Sequence, residues 1–150
     1  ETAKAIVLAA LKFPMVNQEP IKKIIFDVKN ALDFEGETGP YLQYTYARMS
    51  SIIRKYGKKI TDNIAYEVLI SDEEQALIKL LAKEQEIIND AAEKYKPALI
   101  GRYCLDVAQA INILKEAEEV KKARLLLVFK AREVLGRVLE VLGIPILEEM

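Results

Sequence analysis

Apolar residues recur every three or four positions along most of the chain, the spacing that places them on one face of an α-helix. A first helix is predicted over 2–13, ending before Pro14, because the residue before a proline is disfavoured in α geometry. The run 24–34 reads as a short strand and then a short helix, with Asp27 available as a cap. Strand-like alternation is otherwise almost absent, so we expect an all-α fold, a helical bundle of about five helices.

Residues that start or stop helices predict where the later helices lie. Pro40 is the last residue of the turn GETGP and suits the first turn of a helix, which runs to about Tyr56 and ends at Gly57. Residues 71–74, with the sequence SDEE, form a capping box that opens the next helix. That helix is predicted to continue to about Tyr95.

The chain after Glu84, where the preceding helix is expected to break, contains few helix-stopping residues. Between 102 and 135 there is no glycine or proline, so propensity predicts a single helix from Pro97 to Leu142. Such a rod is far longer than the usual ~11 to 12 residues and leaves one end with nothing to pack on. We therefore expect an interruption inside it, with the last helix running from about Glu118 to Leu142.

The composition is that of one soluble domain. Of 150 residues, 51% are apolar and 30% charged, with only six glycines and five prolines. The most apolar run, 125–129, is far too short to span a bilayer, and no leader pattern opens the chain, so we expect no membrane association and a cytoplasmic location. The single cysteine, Cys104, lies among apolar helix positions and is expected to be a buried filler.

The residue types that are missing limit the chemistry. Zero histidines and one cysteine remove most routes to a metal site, a nucleophile pair or a histidine acid/base. We therefore expect no catalysis by this chain alone. Because it begins at Glu1 without a methionine and directly in a helical pattern, we expect a piece of a longer protein. The net charge of −1 argues mildly against a generic nucleic-acid binder.

The helix predicted over 40–56 has two faces when its residues are advanced by about 100° each. The arc predicted to enter the core holds Tyr41, Leu42, Thr45, Tyr46, Met49, Ile52, Ile53 and Tyr56. The arc predicted to face solvent holds Gln43, Tyr44, Ala47, Arg48, Ser50, Ser51, Arg54 and Lys55. On the second arc Tyr44, Arg48, Ser51 and Lys55 follow one another at steps of four, three and four residues and form one stripe.

The stripe has two interpretations. Cations and hydroxyls in a row suit phosphate contacts, and an exposed aromatic ring suits stacking on a base or sugar, so the stripe fits the edge of an RNA. A solvated helix face with a tyrosine–arginine contact at helical spacing has the same pattern. Spacing alone favours the solvated face and leaves the RNA interpretation open.

The segment FEGETGPYLQYTYAR, followed by SSIIRKYG, resembles the part of arginyl-tRNA synthetases that joins the catalytic domain to the helical anticodon-binding domain. Further on, YCLDVAQAIN and ARLLLVFKAREVLGRVLEVLGIPILEEM resemble the two main helices and the chain end of that domain, often called the DALR domain. The resemblance covers essentially the whole chain. It implies the all-helical bundle of a class I synthetase anticodon-binding domain over 1–150, with 1–35 at the junction to the catalytic domain.

The resemblance also implies a function. Such a domain docks on the anticodon arm of arginine tRNA, while an upstream Rossmann-like domain, absent from this sequence, activates arginine with ATP and magnesium. The parent enzyme is then an ATP-dependent arginine–tRNA ligase, and this fragment binds tRNA without catalysing and without a cofactor. The implied partners are the tRNA and the parent's own catalytic domain, in a monomer. A protein-interaction module that has kept the helical scaffold without tRNA binding is the alternative.

Carried over by position, the resemblance implies tRNA contacts on two helices and at the chain end. The residues implicated, together with Ser51 of the stripe, are Gln43, Tyr44, Arg48, Lys55, Arg102, Gln109, Asn112 and Met150. For Arg102, Gln109 and Asn112, a merely solvated polar face explains each residue about equally well when it is taken singly. Lys58 and Lys59 are either phosphate contacts or part of a solvated loop.

The chain departs from the family pattern after Asn112. The family has an aromatic pair and a proline-containing loop there, whereas here Asn112 runs straight into Ile113. Either this protein has lost the loop, or the sequence lacks residues at this point. We favour the second explanation, because without the loop nothing physical separates the two long helices.

Two charges occupy otherwise apolar helix faces, Asp106 on one helix and Arg124 on the next. A lone charge on an apolar face is costly, so we predict that the two form a salt bridge that fixes the register of the helices. Asp72, Glu73 and Glu74 are predicted to act as cap and helix-dipole partners rather than as metal ligands.

Overall fold

The computed structural model describes residues 1–19, 21–60, 69–113 and 122–150. Within these ranges the regular secondary structure is entirely helical, which confirms the all-α prediction, and no described helix is both long and apolar enough to cross a membrane. There are more helices than the about five expected, because α2 is separate and very short and α4 and α5 are distinct. The helices are α1 (Thr2–Val16), α2 (Val28–Ala31), α3 (Gly39–Tyr56), α4 (Asp72–Ala82), α5 (Glu84–Glu93), α6 (Ala98–Ile113) and α7 (Lys122–Val141).

The centre of the bundle is formed by α3, α6 and α7. α3 packs against α1, α6 and α7, and α6 packs against α4, α5 and α7. Large side chains that are fully buried in the core include Phe13, Leu42, Met49, Leu77, Leu105, Ile111, Leu135, Leu139 and Ile144. Ile144 belongs to the segment 144–150, called the C-terminal tail below, so the core anchors the start of this tail. Cys104 is fully buried as predicted, and burial raises the pKa of its thiol to about 12.

Several helix ends lie where local signals predict them. The hydroxyl oxygen of Thr38 caps α3 by accepting from the backbone N–H of Tyr41 at 3.1 Å, and Gly57 ends this helix in the left-handed region at φ 64°. Ser71 and Glu74 form the predicted capping box at the start of α4. Such caps use backbone groups that a helix leaves unpaired at its ends, so nearby residues suffice to predict them.

Other boundaries differ from the predictions. α1 continues through Pro14 to Val16, so its predicted end is wrong. Phe13 is buried in the core at this point, and its packing outweighs the local preference against helix before a proline. Asp27 caps α2, accepting from the backbone N–H of Lys29 at 2.8 Å, but the residues before it form no strand, so that prediction is also wrong.

Both interruptions expected in the later helices are present. α4 and α5 meet at Lys83, which confirms the break expected there. α6 and α7 are two helices packed against each other rather than one rod. The residues between them, 114–121, lie outside the described residues, and so does the predicted helix start near Glu118, whereas Asn112 and Ile113 are consecutive residues of α6.

A close approach between α1 and α3 explains one glycine of the turn GETGP. An added Cβ at Gly39 would lie 2.3 Å from the backbone oxygen of Ala9, far inside contact distance. α3 therefore begins directly against the backbone of α1, where only a residue without Cβ fits. The other glycine of this turn, Gly36, has room, because its added Cβ would meet nothing closer than 3.5 Å.

A buried ion pair joins Arg124 to Glu74, so the predicted pair of Asp106 with Arg124 is wrong. Arg124 Nε donates to Glu74 Oε1 where α4 packs against α7. Asp106 instead accepts from Arg102 Nε at 3.0 Å, one turn away on α6. The pattern of a single helix identified Arg124 as a charge on an inward face, but it does not show which neighbouring helix meets that face.

Glu74 is fully buried and yet stabilised as a carboxylate. Burial by itself raises its pKa, but the guanidinium of Arg124 and the backbone N–H of Ser71, which donates to Oε2 at 3.1 Å, outweigh that effect. The pKa of Glu74 therefore lies below its ordinary value. The predicted capping role of Glu74 is confirmed, and the same side chain also ties α4 to α7.

We expect Gly39→Ala to lower the free energy of unfolding by about 2 kcal/mol, because the new methyl group forces α1 and α3 apart. Urea denaturation followed by far-UV circular dichroism measures this cost. Gly36→Ala is the matched control, with an expected change within about 0.5 kcal/mol. Equal stability of the two variants would show that α1 and α3 do not meet at Gly39.

Arg124→Leu is expected to cost about 3 kcal/mol at neutral pH, because it leaves the Glu74 carboxylate buried without its cation. Since the folded-state pKa of Glu74 is lowered, the stability that the pair contributes is complete above about pH 4.3 and is lost as the pH falls through the lowered pKa. Urea titrations at several pH values measure this effect. The free energies of unfolding of the wild type and the variant should differ most at neutral pH and become closer in acid.

Asp106→Asn is the control for the charge pairing. Its pair with Arg102 is solvent-exposed on one helix, so the expected cost is below about 1 kcal/mol. A larger cost for Asp106→Asn than for Arg124→Leu would contradict the assignment of the buried pair.

Candidate nucleic-acid interface

The side of α3 that was predicted to face solvent is only partly open. Its exposed members are Tyr44, Arg48, Arg54 and Lys55, with Ser51 half-buried. Its buried members, for which the prediction is wrong, are Gln43, Ala47 and Ser50. The C-terminal tail and α7 hydrogen-bond to this side of α3, and a helical wheel drawn for one helix cannot show such a cover. One strip of α3 is left open to solvent.

Gln43 is fully buried and joins three parts of the chain. Its Nε2 donates to the backbone oxygen of Pro145 at 2.6 Å and to that of Ala5 at 3.2 Å. These bonds connect the tail to α1 through α3. The side chain cannot reach a ligand outside the folded protein, so the tRNA contact predicted for Gln43 is wrong.

A groove of about 390 Å³ lies between the open strip of α3 and the C-terminal tail. The residues that line this tail groove are Tyr44, Ala47, Arg48, Ser51 and Arg54 from α3 and Glu149 and Met150 from the tail. The fold therefore brings the C-terminal tail to three of the stripe residues, although the tail is far from the stripe in the sequence. Lys55 is exposed on the same strip but does not line the groove.

Tyr44 presents part of its aromatic ring to the tail groove. Phe34, in the turn before α3, meets the ring edge to face, with centroids 6.4 Å apart and planes at 75°. Tyr44 is 43% exposed, so some of the ring remains available to a ligand. A ring that is held in this way can stack on a base or sugar without first being ordered.

The cations of the strip differ in their partners. Arg54 donates to the backbone oxygen of Glu148 at 3.1 Å, and its guanidinium lies 3.3 Å from the carboxylate of Glu149. In the part of the chain that the structure describes, Arg48 and Lys55 have no acidic partner at ion-pair distance. These two side chains are therefore available to an anion.

Glu148 fixes the tail to α3 and α7. Its Oε1 accepts from the hydroxyl of Tyr46 at 3.2 Å and from Arg132 Nη2. Arg132 Nε also donates to the hydroxyl of Ser50 at 2.7 Å, and its guanidinium lies 4.8 Å from the centre of the Tyr46 ring. Burial raises the pKa of Glu148, but the Ser50 hydrogen bond, the charge of Arg132 and the Tyr46 hydrogen bond together hold it below its ordinary value.

The contacts predicted on α6 form a separate group. Arg102 is paired with Glu37, whose Oε1 lies 3.2 Å from Nη1, as well as with its partner on α6. Asn112 Nδ2 donates to the hydroxyl of Tyr41 at 2.7 Å, and Gln109 is exposed. None of the three predicted α6 residues lines the tail groove.

Sequence reasoning missed the residues that build the tail groove around the stripe. They are Ser50, Arg54, Arg132, Glu148 and Glu149. Their contacts join positions 82, 94 and 102 residues apart in the chain, which no helical spacing relates. The one sequence signal for these contacts was the opposite charge of two segments: a pair of acidic residues directly before the last residue, and the basic last turn of α3.

Comparison with known proteins identifies one family. A family model described as the DALR anticodon binding domain matches residues 42–150. The chain is similar to the arginine–tRNA ligase of Clostridium acetobutylicum, at 40% identity over 158 positions, and to that of Clostridium botulinum strain Alaska E43, at 41%. It also resembles the structure of Thermus thermophilus arginyl-tRNA synthetase, with a TM-score of 0.88 and 35% identity.

These similarities cover the chain almost completely and the relatives only in part. All of this chain aligns with each clostridial protein, but it spans 28% of their length. In the Thermus thermophilus comparison the coverage is 99% of this chain and 27% of the other. The clostridial alignments run over 158 positions, more than the 150 residues present, so those relatives carry residues that this chain lacks.

Proposed function

Since this chain belongs to the DALR anticodon binding domain family, we propose that it binds arginine tRNA through the anticodon arm. The observation that carries the proposal is the tail groove, where a partly exposed tyrosine, an arginine available to anions and the end of the chain meet. The names of the relatives support arginine tRNA as the partner. In this proposal the rest of the full-length protein performs the ATP- and magnesium-dependent ligation of arginine.

The tail groove combines the kinds of contact that unpaired nucleotides use. Arg48 can donate to a phosphate, and the hydroxyl of Ser51 lies on the same side of the groove. The ring of Tyr44 can stack on a base, and Met150 adds an adaptable apolar surface opposite it. Bases in a loop are splayed out of a duplex and are recognised by such stacking and edge contacts. The groove therefore suits the single-stranded end of the anticodon arm.

Local charge favours RNA even though the net charge is −1. Between 48 and 59 the chain has no acidic residue. The cations of this stretch are Arg48, Arg54, Lys55, Lys58 and Lys59. They lie on the later part of α3 and just after it, so the open strip of α3 leads into a basic end. Because the cations are few, we expect modest affinity from this chain alone, with the rest of the protein sharing the tRNA.

A second contact is proposed on α6, through Arg102, Gln109 and Asn112. The extra residues of the clostridial relatives are proposed to fall between Asn112 and Ile113, where the chain departs from the family pattern. In this proposal such residues would lie at the end of α6, close to this contact.

Exposed apolar side chains near the start of the sequence support a junction there with the rest of the protein. These side chains lie on α1 and in the segment before α2 and include Val7, Met15, Ile21, Ile25 and Phe26. Several large apolar side chains exposed within one stretch of the chain favour an interface there. Because the chain spans 28% of the relatives' length, we propose that the preceding catalytic domain covers these side chains within a monomer.

Arg48→Ala is expected to weaken the binding of arginine tRNA roughly tenfold, because it removes a cation that is available to phosphate. Filter-binding titrations at several salt concentrations measure the effect. The slope of log affinity against log salt should fall by about one in the variant. A tRNA for another amino acid, titrated in parallel, should bind more weakly than arginine tRNA.

Lys94→Ala is the control, because it makes the same change in net charge on α5, where Lys94 is paired with Asp90 at 2.5 Å. We expect its tRNA affinity to equal that of the unmodified chain. Equal weakening by both variants would mean that net charge, and not the groove, controls binding. Failure of the unmodified chain to prefer arginine tRNA would favour a protein-interaction module instead.

A further inference from the structure

The last residues of the chain form one side of the tail groove, so something must hold them there. We propose that Glu148 is a positioning residue for RNA binding, which fixes the C-terminal tail so that Met150 lines the groove. The inference rests on the proposed function for its RNA part and on the contacts of Glu148 for its structural part. The contacts of the Glu148 carboxylate with Tyr46 and Arg132, together with the hydrogen bond of Arg132 to Ser50, are called the Glu148 anchor below.

The tail is first held near its start. Lys12 Nζ donates to the backbone oxygen of Gly143 at 2.5 Å, and Gln43 donates to that of Pro145 at 2.6 Å. After Pro145 the side chains are exposed or half-buried, so the core no longer holds the chain. Glu148 is the next residue whose side chain is bound by the helices.

The donors of the Glu148 anchor are also held by contacts of their own. Tyr46 and Ser50 are buried on α3, and Arg132 reaches them from α7 through its hydrogen bond to Ser50 and its stacking on the Tyr46 ring. A carboxylate entering this site meets donors that are already oriented, and charge-assisted hydrogen bonds of this kind are among the stronger ones. Because Met150 follows only two residues later, release of the Glu148 side chain leaves this side of the groove held only by the exposed contacts of Arg54.

Glu149, the next residue, has a different role. Its side chain is 78% exposed, and its ion pair is with Arg54 at 3.3 Å. Exposed pairs are weak, so a phosphate can take the place of this carboxylate on Arg54. In RNA binding, Glu148 therefore builds the groove, whereas Glu149 occupies a cation that the RNA needs.

Glu148→Ala and Glu149→Ala are a matched pair of variants that separate anchoring from charge. Each removes one carboxylate from the same tail, so electrostatics alone predicts tighter RNA binding by both. The anchor predicts opposite signs: roughly tenfold weaker binding of arginine tRNA by Glu148→Ala, and about twofold tighter binding by Glu149→Ala. Tighter binding by both variants overturns the proposal.

Met150 gives a readout that does not need RNA. In a chain with carbon-13 methyl-labelled methionine, the Met150 signal should sharpen and move to the random-coil position in Glu148→Ala and stay in place in Glu149→Ala. The signal of the fully buried Met49 shows in the same spectra that the fold is intact. An unchanged Met150 signal in Glu148→Ala overturns the anchor. If the unmodified chain binds no arginine tRNA, the proposed function fails, while this spectrum still decides whether Glu148 holds the tail.

Discussion

The burial of α3 among α1, α6 and α7 is the constraint on which the rest of the structure depends. Gly39 lets the start of α3 meet the backbone of α1, and Leu42 and Met49 enter the core. With these sides of the helix occupied, the C-terminal tail covers part of the remainder. One strip stays open, so any ligand of α3 must be bound through Tyr44, Arg48 and their neighbours. The surface of α3 that is available for binding is therefore the part that neither the other helices nor the tail covers.

Charged groups connect the elements that apolar packing brings together. Glu74 lies inside the α4–α7 contact with Arg124, and Glu148 joins the tail to α3 and α7. Both carboxyl groups have lowered pKa values because the hydrogen-bond donors and the arginine beside each of them outweigh the effect of burial. The buried Glu74 carboxylate is costly without its cation, so this contact penalises displacement of α4 from α7, whereas the more exposed Glu148 restrains the tail more weakly. An apolar contact of similar size tolerates such shifts more easily.

The tail groove assembles residues from both ends of the matched family domain. Its α3 side is rigid, since the helix is packed on most of its surface, whereas its tail side is held by a few polar contacts. If the groove binds the anticodon arm as proposed, affinity depends on how well the tail is ordered beforehand as well as on the cations. A ligand that meets a preformed groove avoids the entropic cost of ordering the tail on binding.

The sequence by itself determined the helices, most of their ends and the family. Thr38, Gly57 and the box of Ser71 with Glu74 act on backbone groups within a few residues, so their roles follow from local order along the chain. The sequence also placed Tyr44 and Arg48 on an outward face of α3, since helical periodicity is a local property. Only the tertiary structure decided that Gln43 is buried, that Glu74 is the partner of Arg124, and that Glu148 and Met150 return to α3. Those outcomes depend on which elements meet in space, and contacts between residues distant in sequence leave no periodic trace in the chain.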